Sequence, residues 1–244
     1  MTETTWNGYK QMNFAVGGRT SFIVCPEKAL PGNPWVWRTE FFEAFNYVDR
    51  ALLERGWHLA YHCVSDMYGC PESVSMMKEF YDTAVNEYGM SSKPAMFGFS
   101  RGALYAVNFA LKYPDCCGLL YLDAPVLDIC SWPGGLGAGL GEESCWKECK
   151  EIYHLNDETA LTFTGNPLDR TKELAKTGIP VMLVCGDADR YVPYAENGEP
   201  FYEKMKEAGA DIMLIVKPGC DHHPHSLSDP APVVDFIEKH YGIK

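Results

Sequence analysis

A chain of 244 residues, 46% hydrophobic and 22% charged, has the composition of a globular protein that can bury one large core or two small ones. Its formal net charge of −12 works against nucleic acid and anionic lipid surfaces, both of which reward basic faces. No run of about 20 apolar residues can span a bilayer, and the start, Met-Thr-Glu-Thr-Thr-Trp, lacks the basic and apolar regions of a secretory leader. A cytoplasmic protein is expected, although a trimmed secreted form would have the same character. The ten cysteines form no ladder of paired CxxC motifs; Cys25, Cys63 and Cys185 sit in apolar runs, where a thiol behaves as a small hydrophobe.

In chain order, Gly17-Gly18 ends an opening segment, and Ser21 to Cys25 reads as a buried strand. Lys28 to Arg38 reads as a loop carrying Pro31, Gly32, Pro34, Trp35 and Trp37. Phe41 to Arg55 reads as a helix stopped by Gly56. Trp57 to Val64 is strand-like, and residues 71–88 form a helix opened by Pro71 and closed by Gly89. Pro94 to Phe99 is a short strand that ends at Ser100, and Gly102 to Tyr113 is a helix ended by Pro114. Three more strands follow at Gly118–Leu122, Ile179–Cys185 and Ile212–Val216, with a helix over Pro200–Ala208 and a closing amphipathic helix over Pro232–Tyr241.

Helices alternating with strands that are apolar on both faces predict an α/β fold: a doubly wound, mostly parallel sheet flanked by helices. One domain over residues 1–244 accounts for the pattern. Residues 128–177 break the alternation, with a glycine-rich stretch at 134–141 and a helical stretch at 142–153. They read as a small cap inserted over the carboxyl edge of the sheet, whose glycines would let it move.

Gly98-Phe99-Ser100-Arg101-Gly102 matches G-x-S-x-G, between a strand and a helix as that motif requires. The turn strains the serine backbone and lifts its hydroxyl above the sheet, and glycines flank it where strand and helix approach closely. A serine hydroxyl needs a base, and the base needs an orienting carboxylate. Asp187 and Asp189 follow one strand; Asp221, His222, His223 and His225 follow the next. Both loops lie at carboxyl ends of strands, where open α/β sheets place their sites.

With these motifs in the order Ser, Asp, His, the chain resembles the α/β-hydrolase superfamily of serine esterases and lipases over almost its whole length. The superfamily acid commonly lies in G-x-x-D-x-x-V-P, here Gly186, Asp189, Val192 and Pro193, which selects Asp189 with Asp187 as alternative. Its histidine usually follows Gly-x-Gly; here Asp221 replaces the second glycine, and His222 is the expected base, with His223 and His225 as alternatives. The first oxyanion donor would be the Arg101 backbone N–H, and the second would come from the loop after the third strand. In the loop Cys25–Gly32, Pro26 and Pro31 have no N–H, leaving Lys28 as the expected donor and Glu27 and Ala29 as rivals.

Trp35 and Arg38, Tyr68, Trp132 and His223 are expected to line the substrate pocket. The competing reading packs the tryptophans under the loop and pairs Arg38 with an acid. Asp221 and the three histidines could hold zinc, but no second cluster supports that reading, so neither metal nor other cofactor is expected. The expected function is hydrolysis of short- to medium-chain carboxylic esters, with a small-molecule ester as partner. The alternatives are an acetyl or feruloyl esterase acting on plant polysaccharide, a peptidase or amidase, and a binding module that kept the fold.

Overall fold

The computed structural model describes residues 1–243. Among them nine strands form one sheet in the order β1-β2-β3-β5-β4-β6-β7-β8-β9. The first three, β1 (Thr2–Trp6), β2 (Tyr9–Val16) and β3 (Arg19–Val24), form an antiparallel meander. The remaining six run parallel: β4 (Trp35–Arg38), β5 (His58–His62), β6 (Ala95–Phe99), β7 (Leu119–Asp123), β8 (Val181–Gly186) and β9 (Ile212–Lys217). β3 joins the parallel block antiparallel to β5, with Val24 opposite Leu59 and Ser21 opposite His62.

Every residue of β4, β6, β7 and β8 is buried, as expected for parallel strands covered on both faces. One face packs on α2 (Pro71–Asn86), α3 (Gly102–Lys112) and α7 (Gly198–Glu207) through Phe80, Phe109 and Phe201. The other packs on α1 (Tyr47–Glu54) and α8 (Ala231–Tyr241) through Leu52 and Ile237. Alternation along β4 sends Trp35 and Trp37 to the first face and Val36 to the second.

Two differences from the sequence reading matter for the site. The stretch Lys28–Arg38 is not all loop; its last four residues are β4, wedged between β5 and β6. The predicted helix over Phe41–Arg55 starts only at Tyr47, because Phe41 and Phe45 adopt left-handed backbones with φ of 52° and 49°.

Between β7 and β8 the chain carries α4 (Glu143–Ile152), α5 (Asp157–Leu161) and α6 (Thr171–Lys176). A separate apolar cluster joins this segment to Tyr68, Leu104 and Val192, with Trp132 and Trp146 packed against it. The glycines at 134–141 mark a tight crossing: a Cβ on Gly135 would come within 2.5 Å of the Gly141 Cα. The same stretch is tied down where Leu140 N–H donates to the Arg190 carbonyl and Ala138 N–H to Glu196. No described helix is long and apolar enough to cross a bilayer.

Candidate active site

Ser100 sits directly after β6 with φ of 49°, a left-handed conformation uncommon outside glycine. Its turn is fixed from both sides. Ser100 N–H donates to the Asp123 carbonyl, and the Ser100 carbonyl accepts from Ala103 and Val126. The turn is this sharp because α3 lies directly on β6: a Cβ on Gly98 would stand 2.7 Å from the Ala103 Cα. The Arg101 N–H, at the head of α3, donates to no protein acceptor among the described residues, which leaves it available to a developing oxyanion.

His222 Nε2 lies 3.0 Å from Ser100 Oγ, and His222 Nδ1–H donates to Asp189 Oδ2 at 2.7 Å. Asp189 is itself held, since its Oδ1 accepts from the Tyr191 and Val192 N–H groups. An imidazole between a hydroxyl and a buried carboxylate has its tautomer fixed with the lone pair toward the hydroxyl, so it can accept the hydroxyl proton. Asp187, the alternative acid, instead accepts from Gly219 N–H at 2.6 Å and braces the following loop. Asp221, in place of a glycine, ties the two loops together. It accepts from Arg190 N–H, Arg190 Nε and His222 N–H, and the Arg190 and His222 backbone bonds hold its carboxyl down at about 2.

A second pair stands beside the first. His225 Nδ1–H donates to Asp123 Oδ1 at 2.8 Å, and Asp123 Oδ2 accepts from Tyr121 Oη–H and Ser226 N–H. Asp123 is fully buried, and the His222 and His225 rings meet edge to face with centroids 4.8 Å apart. Sequence reasoning named His225 only as a rival base and missed Asp123. The available signal was an aspartate closing a buried strand, at the same sheet edge as the other site residues.

A cavity of about 180 Å³ adjoins Ser100, lined by Phe41, Ala44, Phe45, Phe99 and the three histidines. His223 thus lies where it was expected. The other expected pocket residues do not. Trp35 and Trp37 are buried in the sheet core, stacked with centroids 5.5 Å apart, and Trp35 Nε1–H donates to the Ser91 carbonyl. Arg38 is fully buried over the Phe99 ring at 3.8 Å and 3.4 Å from Asp49; it donates to the Phe41 and Ala44 carbonyls at 2.9 and 2.5 Å. It therefore shapes the cavity wall from behind. Tyr68 is fully buried, with its hydroxyl donating to Glu148 at 2.7 Å. Trp132 packs on Tyr68, on the far side of Arg101, and is not part of the cavity wall.

Lys28 cannot be an oxyanion donor. Because β3 runs antiparallel to β5, Val24 ends opposite Leu59, so the following loop emerges at the amino edge of the parallel strands. There Leu30 N–H donates to the Gly56 carbonyl, at the opposite end of the sheet from Ser100. The loop that reaches Ser100 is Thr39–Phe41, after β4. Thr39 Oγ1 lies within hydrogen-bonding distance of the Phe97 and Gly102 carbonyls, and Glu40 faces Arg101, which also pairs with Asp66 at 2.7 Å. Burial raises the Glu40 carboxyl above the usual range despite the nearby guanidinium.

The sequence matches the model of the prolyl oligopeptidase family over residues 75–244. It is 24% identical over 138 residues to the acylamino-acid-releasing enzyme of Rattus norvegicus, covering 56% of this chain and 18% of that protein. The fold is similar to Est1E from Butyrivibrio proteoclasticus, with a TM-score of 0.68 and 18% identity, covering 95% of this chain and 99% of that one. It is also similar to puromycin hydrolase, with a TM-score of 0.74 and 17% identity, covering 96% of this chain and 39% of that one. The chain thus spans under a fifth of the rat enzyme and two fifths of puromycin hydrolase, while matching Est1E almost end to end. It belongs to the prolyl oligopeptidase family, within the α/β-hydrolase superfamily.

Proposed function

We propose that this protein hydrolyses small carboxylic esters through an acyl-serine intermediate. The observation that carries the reading is the unbroken hydrogen-bonded line from Ser100 Oγ through His222 to Asp189. Ser100 attacks the ester carbonyl as His222 takes its proton, the alcohol leaves with that proton, and water then releases the acid by the reverse path. Asp189 holds the imidazole and its developing charge. The Arg101 N–H and a backbone N–H of the Thr39–Phe41 loop receive the oxyanion. The 128–177 segment acts as a cap over the far side of Arg101.

Support for a small acyl group comes from the cavity beside Ser100, which is narrow and walled by Phe41, Ala44, Phe45 and Phe99 without a carboxylate. A second reading, cleavage of amide bonds, is favoured by the family match and by the names of the rat enzyme and of puromycin hydrolase.

The test compares p-nitrophenyl acetate, butyrate and longer esters with aminoacyl and dipeptidyl nitroanilides, using Ser100→Ala as background. Acetate and butyrate turnover should exceed that of longer chains and of the anilides. Wild-type release no faster than Ser100→Ala on every ester would defeat the ester reading, and preferential anilide turnover would transfer it to the second.

A further inference from the structure

We propose that His222, His223 and His225 form a site for a divalent transition-metal ion, and that filling it switches the hydrolase off. One nitrogen from each of the three rings lies within 4.8 Å of the other two, at one wall of the Ser100 cavity. Two of the three rings are already oriented as metal ligands are. His222 and His225 each give Nδ1–H to a buried carboxylate, Asp189 and Asp123, which leaves the Nε2 lone pair to serve a metal, in His222 the lone pair that otherwise faces Ser100 Oγ. A carboxylate behind the imidazole fixes the tautomer, turns the ring and makes Nε2 a better ligand. The two aspartates also bring negative charge close to an incoming cation.

His223 completes the set. Its ring accepts and donates no hydrogen bond among the described residues; it is exposed and rests flat against Phe45, with centroids 5.6 Å apart and planes 17° apart. Metal–imidazole bonds of about 2.0–2.1 Å put neighbouring nitrogens about 3.3 Å apart in a tetrahedral site, so the cluster must close by roughly 1.5 Å. Rotation of the exposed His223 ring can provide much of that closure. Three imidazoles select zinc, copper or nickel over magnesium or calcium, which prefer oxygen ligands.

Binding is a coordination step without redox change: each ring donates one nitrogen lone pair to the ion. The His222 lone pair is the one that faces Ser100 Oγ at 3.0 Å, so a metal-bound His222 cannot take the serine proton. The inhibitory consequence rests on the function proposed above; the metal site itself does not.

The experiment uses the full chain, stripped with a chelator and titrated with Zn2+ against a chromophoric chelator. It is run on wild type and Ser100→Ala, with p-nitrophenyl acetate turnover followed in parallel. One ion should bind per chain in the micromolar range or tighter, and the same ion should bind Ser100→Ala. His223→Ala and His225→Gln should each weaken binding by at least about tenfold, and Asp123→Asn by about tenfold through loss of ring orientation. Wild-type turnover should fall with the binding midpoint and return with EDTA. Since His223 is exposed, His223→Ala remains decisive if a buried variant fails to fold. Absence of micromolar Zn2+ binding, or binding indifferent to both His223→Ala and His225→Gln, overturns the site. Binding with the expected variant pattern, in a metal-free protein that cleaves no ester, leaves the site standing and removes the esterase reading instead.

Discussion

Replacing Arg38 with methionine tests whether a core arginine builds the wall of the cavity. The guanidinium is fully buried and bridges two structures: Asp49 in α1, itself only 1% exposed, and the Phe41 and Ala44 carbonyls of the loop before that helix. Removing one member of a buried pair costs about 3–5 kcal/mol, because the other charge stays desolvated. Burial already pushes the Asp49 carboxyl above its usual range despite Arg38, so the variant can protonate Asp49 and take the lower end of that range. A loss of about 3 kcal/mol corresponds to a Tm decrease of roughly 6–12 °C for a chain of this size.

Urea unfolding measures that loss, and kcat/KM on p-nitrophenyl acetate measures the effect on the cavity. The double variant Arg38→Met with Asp49→Leu should recover most of the stability. It should not recover the activity, because Phe41 and Ala44 still lack the donor that holds their turn. A single-variant loss below about 1 kcal/mol would refute the energetic argument. Wild-type kcat/KM in the double variant would show that Arg38 does not position the loop.

Asp189→Asn should retain the fold but lower kcat by about 10⁴, since an amide favours the wrong imidazole tautomer; esterase kinetics beside a far-UV spectrum checks both halves. Gly98→Ala should cost about 1–3 kcal/mol in urea unfolding and reduce turnover, because its methyl group forces α3 away from β6 and turns Ser100. Equal stability and turnover would mean that this contact relaxes freely. His62, hydrogen-bonded to Ser21 and stacked on Phe80, is held down at about 4, chiefly by burial and next by Arg19. An unfolded histidine titrates near about 6.5, so the unfolded chain binds more protons between these values and stability falls as pH drops through that window. The His62 contribution should reach a loss of about 2 kcal/mol by pH 5 relative to pH 8, read as the difference in slope between wild type and His62→Gln. Identical slopes would rule it out.

The parts of the fold readable from sequence were those whose pattern is local. The run Ala95–Phe99, the motif through Gly102 and the apolar helix behind it announce a strand, a turn and a helix within 18 residues. Ser100, and the loops carrying Asp189 and His222, follow from that periodicity and from chain order. β4 was hidden because four residues between Pro34 and a loop carry too little alternation to distinguish a strand from a packed turn. With β4 unseen, the loop after Ser21–Cys25 stood in for the loop that reaches Ser100, and the expected donor fell at Lys28 instead of in Thr39–Phe41. The Asn7-Gly8 pair was a legible hairpin signal between β1 and β2, but reading it would still have left β4 unseen. Arg38 and Tyr68 were misplaced for another reason. A strand residue or its flanking loop can face the pocket or the core, and only the neighbouring strands decide which. Asp123 and His225 are 102 positions apart, and no local pattern links them.

The order in which the sheet gathers its last strands has a consequence for synthesis. Ser100 follows β6, Asp123 closes β7, Asp189 follows β8, and His222 and His225 both follow β9, each strand lying beside the previous one. A growing chain can therefore pair β6, β7 and β8 and bury most of its core while holding a serine and two carboxylates with no imidazole between them. Both proposed roles, proton acceptor and metal ligand, arrive together within four residues that follow β9. A ribosome-bound intermediate would be nearly folded yet chemically silent, and the onset of turnover would report that β9 had docked at the sheet edge.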